Sequence, residues 1–275
     1  MTGAVLSTDT AITFNGPAAA GIHPGSILAI DDEKVLVTGT TPNNNIFNWY
    51  VYRGFQGSTA ANHADQTISI VDPKFDRFDI GVAINDALNY LTTPTAGLFA
   101  IQLTTVVYNP VFRGYDLTAL PPNFIDIREI TYDLPDASRN FPTIHRQNWK
   151  IRRGITNAKI PSGRALILDE PAYPGLNVNI AAAVPFINLV NLTDDVVATS
   201  GLPPTAIDIP AICAEIDLTS VREVKRDATE SQPDPRKAAD VPAGAMTAVA
   251  QALVLLRDRR IAAEADRLNR QWPGY

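Results

Sequence analysis

"SILAIDDEKVLVTGT", residues 26–40, sets two short apolar runs on either side of Asp31, Asp32, Glu33 and Lys34. That pattern predicts two strands closed into a hairpin by a polar turn. Working outward, the polar loop "TPNNN" leads into "IFNWYVYRG" (46–54), whose aromatic and β-branched residues suit a third strand. "TISIV" (67–71) alternates with period two and predicts a fourth. Residues 22–72 are therefore expected to form a small β-barrel or sandwich. Residues 1–21, "MTGAVLSTDTAITFNGPAAAG", lack the basic start and long apolar run of a signal peptide and read as an amino-terminal arm.

The connection "RGFQGSTAANHAD" (53–65) holds Gly54 and Gly57, which take positive φ at little cost and let the chain turn sharply out of one strand towards the next. His63 has no second histidine or cysteine at metal-ligand spacing, so its expected role is a hydrogen bond that anchors the loop. Glu33, in the hairpin turn, and Arg53, at the end of the third strand, are placed to pair across the barrel rim. Exposed pairs contribute about 0 to 1 kcal/mol, so Glu33→Gln would barely change the melting temperature unless the pair is buried.

Further along, "DRFDIGVAINDALNYL" (76–91) spaces Phe78, Val82, Leu88 and Leu91 for one side of a helix that ends at "TTPT". "LFAIQLTTVVY", "NFIDIREITY", "WKIRRGI", "RALILDE" and "LNVNIAAAV" then read as strands between Pro and Gly breaks. A helix plus a central β-sandwich is expected over 73–200. From 201 the pattern turns helical: Ile212, Ile216, Leu218, Val221 and Val224 suit one helical side, and Cys213 in that run reads as a small buried hydrophobe. The Pro- and charge-rich stretch 231–244 separates this helix from "AMTAVAQALVLLRDRRIAAEADRLNRQ", which has no internal Pro or Gly and predicts a helix roughly 40 Å long. The fold class expected is α+β: a β-rich amino-terminal barrel, a central β-sandwich, and a helical carboxy-terminal part ending in a long helix.

Composition narrows the function. A formal net charge of −6 over 275 residues argues against a general nucleic-acid coat. The single cysteine excludes an intramolecular disulfide and a Cys-rich zinc site. The apolar run at 245–256 is too short to cross a bilayer, so no membrane contact is expected, and "NLT" at 191–193 without a secretory signal reads as a chance match to a glycosylation acceptor. His23, His63 and His145 are scattered, and there is no G-x-S-x-G elbow, Walker loop, H-E-x-x-H or dinucleotide fingerprint. The acidic groups at 31–33 and 168–171 read as solvated turns. No enzyme activity, metal or cofactor is expected.

"PGSILAIDDEKVLVTG" followed by "VYRGFQGSTAANHAD" resembles a segment recurrent in neck and tail proteins of tailed bacteriophages, with Ser58 where Thr is usual and Gln66 where Gly is common. With "YDLP", "SGRALIL", "GLPPTAIDIPAICAEIDLTSVRE" and an arginine-rich terminal helix ending in Trp-Pro, the chain over residues 20–273 is similar to head-to-tail connector proteins of long-tailed phages. The resemblance implies a virion protein assembled in the host cytoplasm. Its implied form is a homo-oligomeric, dodecameric adaptor ring between the portal protein and a stopper or other tail protein, through which DNA passes without specific binding. A tail terminator or stopper, a minor tail protein, and a receptor- or glycan-binding tail module are the alternatives. Within region 201–275, Arg257, Arg259, Arg260, Arg267 and Arg270 with Ile261, Leu268, Trp272 and Tyr275 form the expected portal-docking set.

Overall fold

Residues 11–15, expected in an arm, instead form strand β1 (Ala11–Asn15). Ile12 and Phe14 alternate with Ala11, Thr13 and Asn15, and both side chains are fully buried. The computed structural model describes residues 1, 3–15, 21–43, 46–133, 142–169, 174–191, 193–229 and 245–273; the side chains of 15, 41–47, 220–229 and 245–248 also lie outside the description. The whole connector 231–244, together with Glu170, Pro171, Tyr275 and the side chains of Val221 and Val224, therefore falls outside the described residues.

β1 joins β2 (Ile27–Ile30), β3 (Glu33–Asn43), β4 (Ile46–Tyr52) and β5 (Ser69–Val71) in one curled, open half-barrel sheet of order β1-β4-β3-β2-β5. All its pairings are antiparallel. The register Ile30↔Glu33 leaves a two-residue turn of Asp31 and Asp32. Asp31 takes φ 53°, a left-handed conformation that aspartate tolerates better than most residues. One face of the sheet carries Ile12, Phe14, Leu28, Ile30, Val35, Val37, Trp49 and Val51, which form one buried cluster with Val5 and Ile22.

Helix α1 (Arg77–Leu91) follows, with the Asp76 carboxylate accepting from the Asp79 N–H at 2.7 Å as its amino-terminal cap. Its buried stripe is Ala83, Ala87, Leu88 and Leu91. Val82, expected on that stripe, is exposed, because the covered side of the helix runs through the alanines.

The strands expected downstream are present as β6 (Ala100–Val107), β8 (Asp126–Tyr132), β9 (Trp149–Arg153), β10 (Arg164–Leu168) and β11 (Asn177–Val184), with a three-residue strand β7 (Gly114–Asp116) in addition. They form two antiparallel sheets, β6-β11-β8 and β7-β10-β9. β11 is the central strand of its sheet. Its "IAAAV" end is buried on both faces, which is why it reads as a continuous apolar run without alternation. Helices α2 (Val196–Ser200), α3 (Asp208–Thr229) and α4 (Ala245–Gln271) complete the mixed α+β chain.

By contact density the chain separates into two units. The first comprises Met1–Asp86, Leu189–Asp194 and Cys213–Met246; the second comprises Ala87–Asn188, Asp195–Ile212 and Thr247–Tyr275. The half-barrel sheet belongs to the first unit and both three-stranded sheets to the second. No described helix is long and apolar enough to cross a membrane.

Because Phe14 is 1% exposed inside the sheet's core, Phe14→Ala is expected to cost roughly 3 to 5 kcal/mol in denaturant unfolding. A loss below about 1 kcal/mol would mean that residues 1–15 form a detachable arm after all.

Candidate functional site

Glu33 opens β3, where successive side chains point to opposite faces, so it and Lys34 leave the strand in opposite directions. Both are buried, at 1% and 3% exposure, which corrects the expectation of a solvated acidic turn: only Asp31 and Asp32 lie in the turn. A buried charge is stable only when paired and hydrogen-bonded, and each of the two has its own set of partners.

Arg53, immediately after β4, meets Glu33 as a fork. Nε donates to Oε1 and Nη2 to Oε2, each at 2.7 Å. The Gly54 and Ala61 N–H groups donate to the same carboxylate at 3.0 Å each, and His63 Nε2 lies 2.9 Å from Oε2. Arg53 also donates to the carbonyls of Leu6 and Ala61 at 2.6 Å. The other ring nitrogen of His63, Nδ1, sits 2.9 Å from Asp31 Oδ2; a neutral imidazole donates to only one of these two carboxylates, the doubly protonated ring to both. The His63 backbone pairs with Val5 in both directions, at 2.8 and 2.9 Å. One carboxylate thus fastens the hairpin turn, the end of β4, the 54–63 loop and the amino-terminal segment together.

The loop's shape follows from two glycines. Gly54 has φ 62°, and a Cβ there would stand 2.8 Å from the Ser58 carbonyl oxygen. Any other residue would push out the turn that aims the Gly54 N–H at Glu33. Gly57 has φ 88° with open space around it, so backbone conformation alone favours glycine there. Gln66 also takes a positive φ, of 64°.

Lys34 anchors the other side of β3. Its Nζ lies 3.0 Å from Asp76, 2.5 Å from Asp79 and 3.0 Å from Gln56 Oε1, with the Phe78 ring centroid at 5.6 Å. The Lys34 N–H donates to Ser58 Oγ at 2.9 Å. The loop is therefore held from both faces of the strand, through Glu33 on one and through Lys34, Gln56 and Ser58 on the other.

Burial alone would raise the Glu33 carboxyl. The hydrogen bonds from Arg53, the Ala61 N–H, His63 and the Gly54 N–H outweigh it and hold the group at about 2. Four fixed donors, two from Arg53 and the Gly54 and Ala61 N–H groups, occupy the two oxygens and His63 Nε2 crowds one of them, so Glu33 has no vacant lone pair for a substrate proton or a metal, and the chemistry of the arrangement is fastening. Among the described residues, no group of three or more His, Cys, Asp or Glu is arranged to hold a metal ion. A groove of about 110 Å³ beside α1, lined by Asp32, Arg77, Val82, Asn85 and Val190 among others, is small beside ordinary ligand pockets.

The expected docking set distributes differently. Ile261 and Leu268 are buried within their own chain, as is Glu264 between them. Arg260 forks onto Asp208 at 2.7 Å through both Nε and Nη2, and donates to the Thr205 carbonyl at 2.9 Å. That pairing lowers the Asp208 carboxyl and raises the Arg260 guanidinium. Arg267 donates to Glu264 at 2.6 Å, and the Thr205 hydroxyl donates to Glu264 at 2.8 Å. Arg270 pairs with Asp266, Arg257 contacts Asp258 and lies over the Tyr90 ring, and Trp272 is half-buried with its N–H on the Leu268 carbonyl. Arg259 is exposed. The apolar side chains left in water lie one or more turns earlier, at Val249, Leu255 and Leu256. Helical periodicity in the sequence did not distinguish these two halves, because a stripe looks the same whether its own chain or another covers it.

No protein-family model matches the chain, and no curated protein matches it.

Removing the charge at Glu33 leaves Arg53 buried without its counter-ion. Glu33→Gln is therefore expected to cost about 3 to 5 kcal/mol, well beyond the range of an exposed pair, as read by urea unfolding. A cost under about 1 kcal/mol would contradict the buried geometry. The folded-state value lies below the unfolded one, so the associated stability is fully present above the unfolded carboxylate range near 4.5 and is lost as pH falls towards about 2. Unfolding measured between pH 6 and 2.5 is expected to show a steeper acid loss for the parent than for Glu33→Gln; parallel profiles would remove Glu33 as the cause.

Proposed function

We propose that the chain is a structural virion protein, the head-to-tail connector of a tailed phage, built as a homo-oligomeric ring between portal and tail with DNA passing through its channel. In this reading the half-barrel sheet acts as a barrel-like amino-terminal domain, and the two three-stranded sheets as a central sandwich. The sequence resemblance over residues 20–273 supports it, as does one feature of α4.

The first half of α4, "VAQALVLL" (249–256), carries apolar residues on every side. Val249, Leu255 and Leu256 are 50%, 59% and 47% exposed. A helix apolar all round belongs in a core, and on a separate chain it would stand in water. In a ring each copy offers the same helix to its neighbour, and a head-to-tail contact that closes supplies the missing cover. Because Ile261 and Leu268 are engaged within the chain, the assembling surface is assigned to 249–256 and not to the 257–275 segment. The portal contact then falls to exposed groups such as Arg259.

Mass photometry of the purified protein, alone and mixed with portal protein, tests the reading. The expected result is a discrete multi-chain ring, matching the portal's symmetry, that Leu255→Asp/Leu256→Asp disperses to monomer without changing circular dichroism or melting. A parent protein that stays monomeric both alone and beside portal would contradict it.

The same geometry predicts the effect of cutting back a buried side chain in the second half of α4. Leu268→Ala is expected to cost about 2 to 5 kcal/mol in thermal or denaturant unfolding. A fully stable Leu268→Ala protein would mean that the second half of the helix is a free docking arm.

A further inference from the structure

Residues 142–168 contain Arg146, Lys150, Arg152, Arg153, Lys159 and Arg164 and no Asp or Glu, in a chain whose net charge is −6. This segment is the β9–β10 hairpin with its approach and its loop. Several of these cations rest against rings. Arg146 lies 3.8 Å from the Trp149 ring centroid, Lys159 4.6 Å from Phe112, and Arg153 and Arg164 5.6 and 5.2 Å from Phe124. A ring positions a cation without cancelling its charge.

The carboxylates that touch the segment are few. Among the described residues, Asp169 pairs with Lys150 at 3.1 Å, Asp126 stands 3.9 Å from Arg146, Glu129 accepts from the Thr143 hydroxyl at 3.2 Å, and Asp116 is occupied by Ser162 and Thr118. Among the described residues, Arg152, Arg153 and Lys159 have no carboxylate within ion-pair distance, and all three are exposed. β9 is an edge strand, so Arg152 and Arg153, pointing to opposite sides, flank an open backbone edge. The loop is internally braced: Ile155 N–H donates to Gly163 O, Gly163 N–H to Ile160 O, and Lys159 N–H to Asn157 Oδ1. Its exposed residues around Lys159 are Gly154, Thr156, Asn157 and Ala158, all small or polar; the exposed Phe112 ring beside the loop is the one that Lys159 lies over.

We propose that this hairpin is a phosphate-backbone contact for duplex DNA, binding without base preference. Unneutralised Arg and Lys with Thr, Asn and edge N–H groups are the donors that the phosphate oxygens of a continuous polyanion take. The inference goes beyond the connector reading and does not depend on it, since it concerns the single chain's surface.

The test is fluorescence anisotropy of two labelled 30-base-pair duplexes of unrelated sequence with the full-length protein at 50 and 200 mM NaCl. Three phosphate contacts predict equal affinity for both duplexes and a loss of about 40-fold between the two salt concentrations. Arg152→Gln/Arg153→Gln is expected to weaken binding at 50 mM at least tenfold and to reduce the salt effect to about fourfold, with unchanged melting; Lys74→Gln, in the other unit, leaves both unchanged. Three results would overturn the proposal: no binding at 50 mM, which would make the arginines guards against strand pairing at the edge; binding that the double variant retains in full; or binding to anionic phospholipid vesicles or heparin but not to duplex.

Discussion

A carboxylate removed from water at the first position of β3 governs the amino-terminal unit. Glu33 is inside because the strand's alternation puts it on the same side as Val35 and Val37, and an ionised group there has to find donors or be expelled. The rest of the loop follows from that need. Arg53 must lie at the end of β4, Gly54 must turn left-handed at once to bring its N–H back, and the chain must return at Ala61 and His63 to complete the set. Val5 and Leu6 join through His63 and Arg53, so the amino-terminal residues are fastened by the same centre. The Lys34 cluster repeats the solution on the opposite face and ties the strand to the start of α1.

Strands and helices were legible wherever their periodicity was long or their composition strong, as in the 26–40 hairpin, β4, β6, β11 and α4. β1 was missed: Ile12 and Phe14 alternate in it, but they lie within an Ala- and Thr-rich stretch read as an arm, and the partner strand is more than thirty residues away. β7 is three residues long and exists through its pairing with β10, which no local pattern announces. The residues of the central cluster were also legible: the turn chemistry of Gly54 and Gly57 and the pairing of Glu33 with Arg53 follow from their places in the hairpin and loop. Burial was not, since four consecutive charged residues look like a solvated turn until the register shows that two belong to the strand. The same limit applied at α4, where spacing gives a stripe but not the identity of what covers it.

The second unit carries two surfaces of contrasting chemistry. The apolar first half of α4 asks for an apolar partner, and under the connector reading that partner is the neighbouring copy. The β9–β10 hairpin has the opposite character, with cations held on rings and few acids near them in an otherwise acidic chain. The centre at Glu33 supplies neither surface. Its saturation with donors makes it a fastening that keeps the loop and sheet in one arrangement.

The measurement that bears most directly on this account is a double-mutant cycle between Glu33 and Arg53, using Glu33→Gln, Arg53→Met and the double variant in urea unfolding. A buried, forked pair sharing its carboxylate with a loop predicts a coupling energy of about 2 kcal/mol or more, with the double variant more stable than the sum of the single losses allows. Additive losses, with coupling below about 0.5 kcal/mol, would contradict the claim that this ion pair organises the amino-terminal unit.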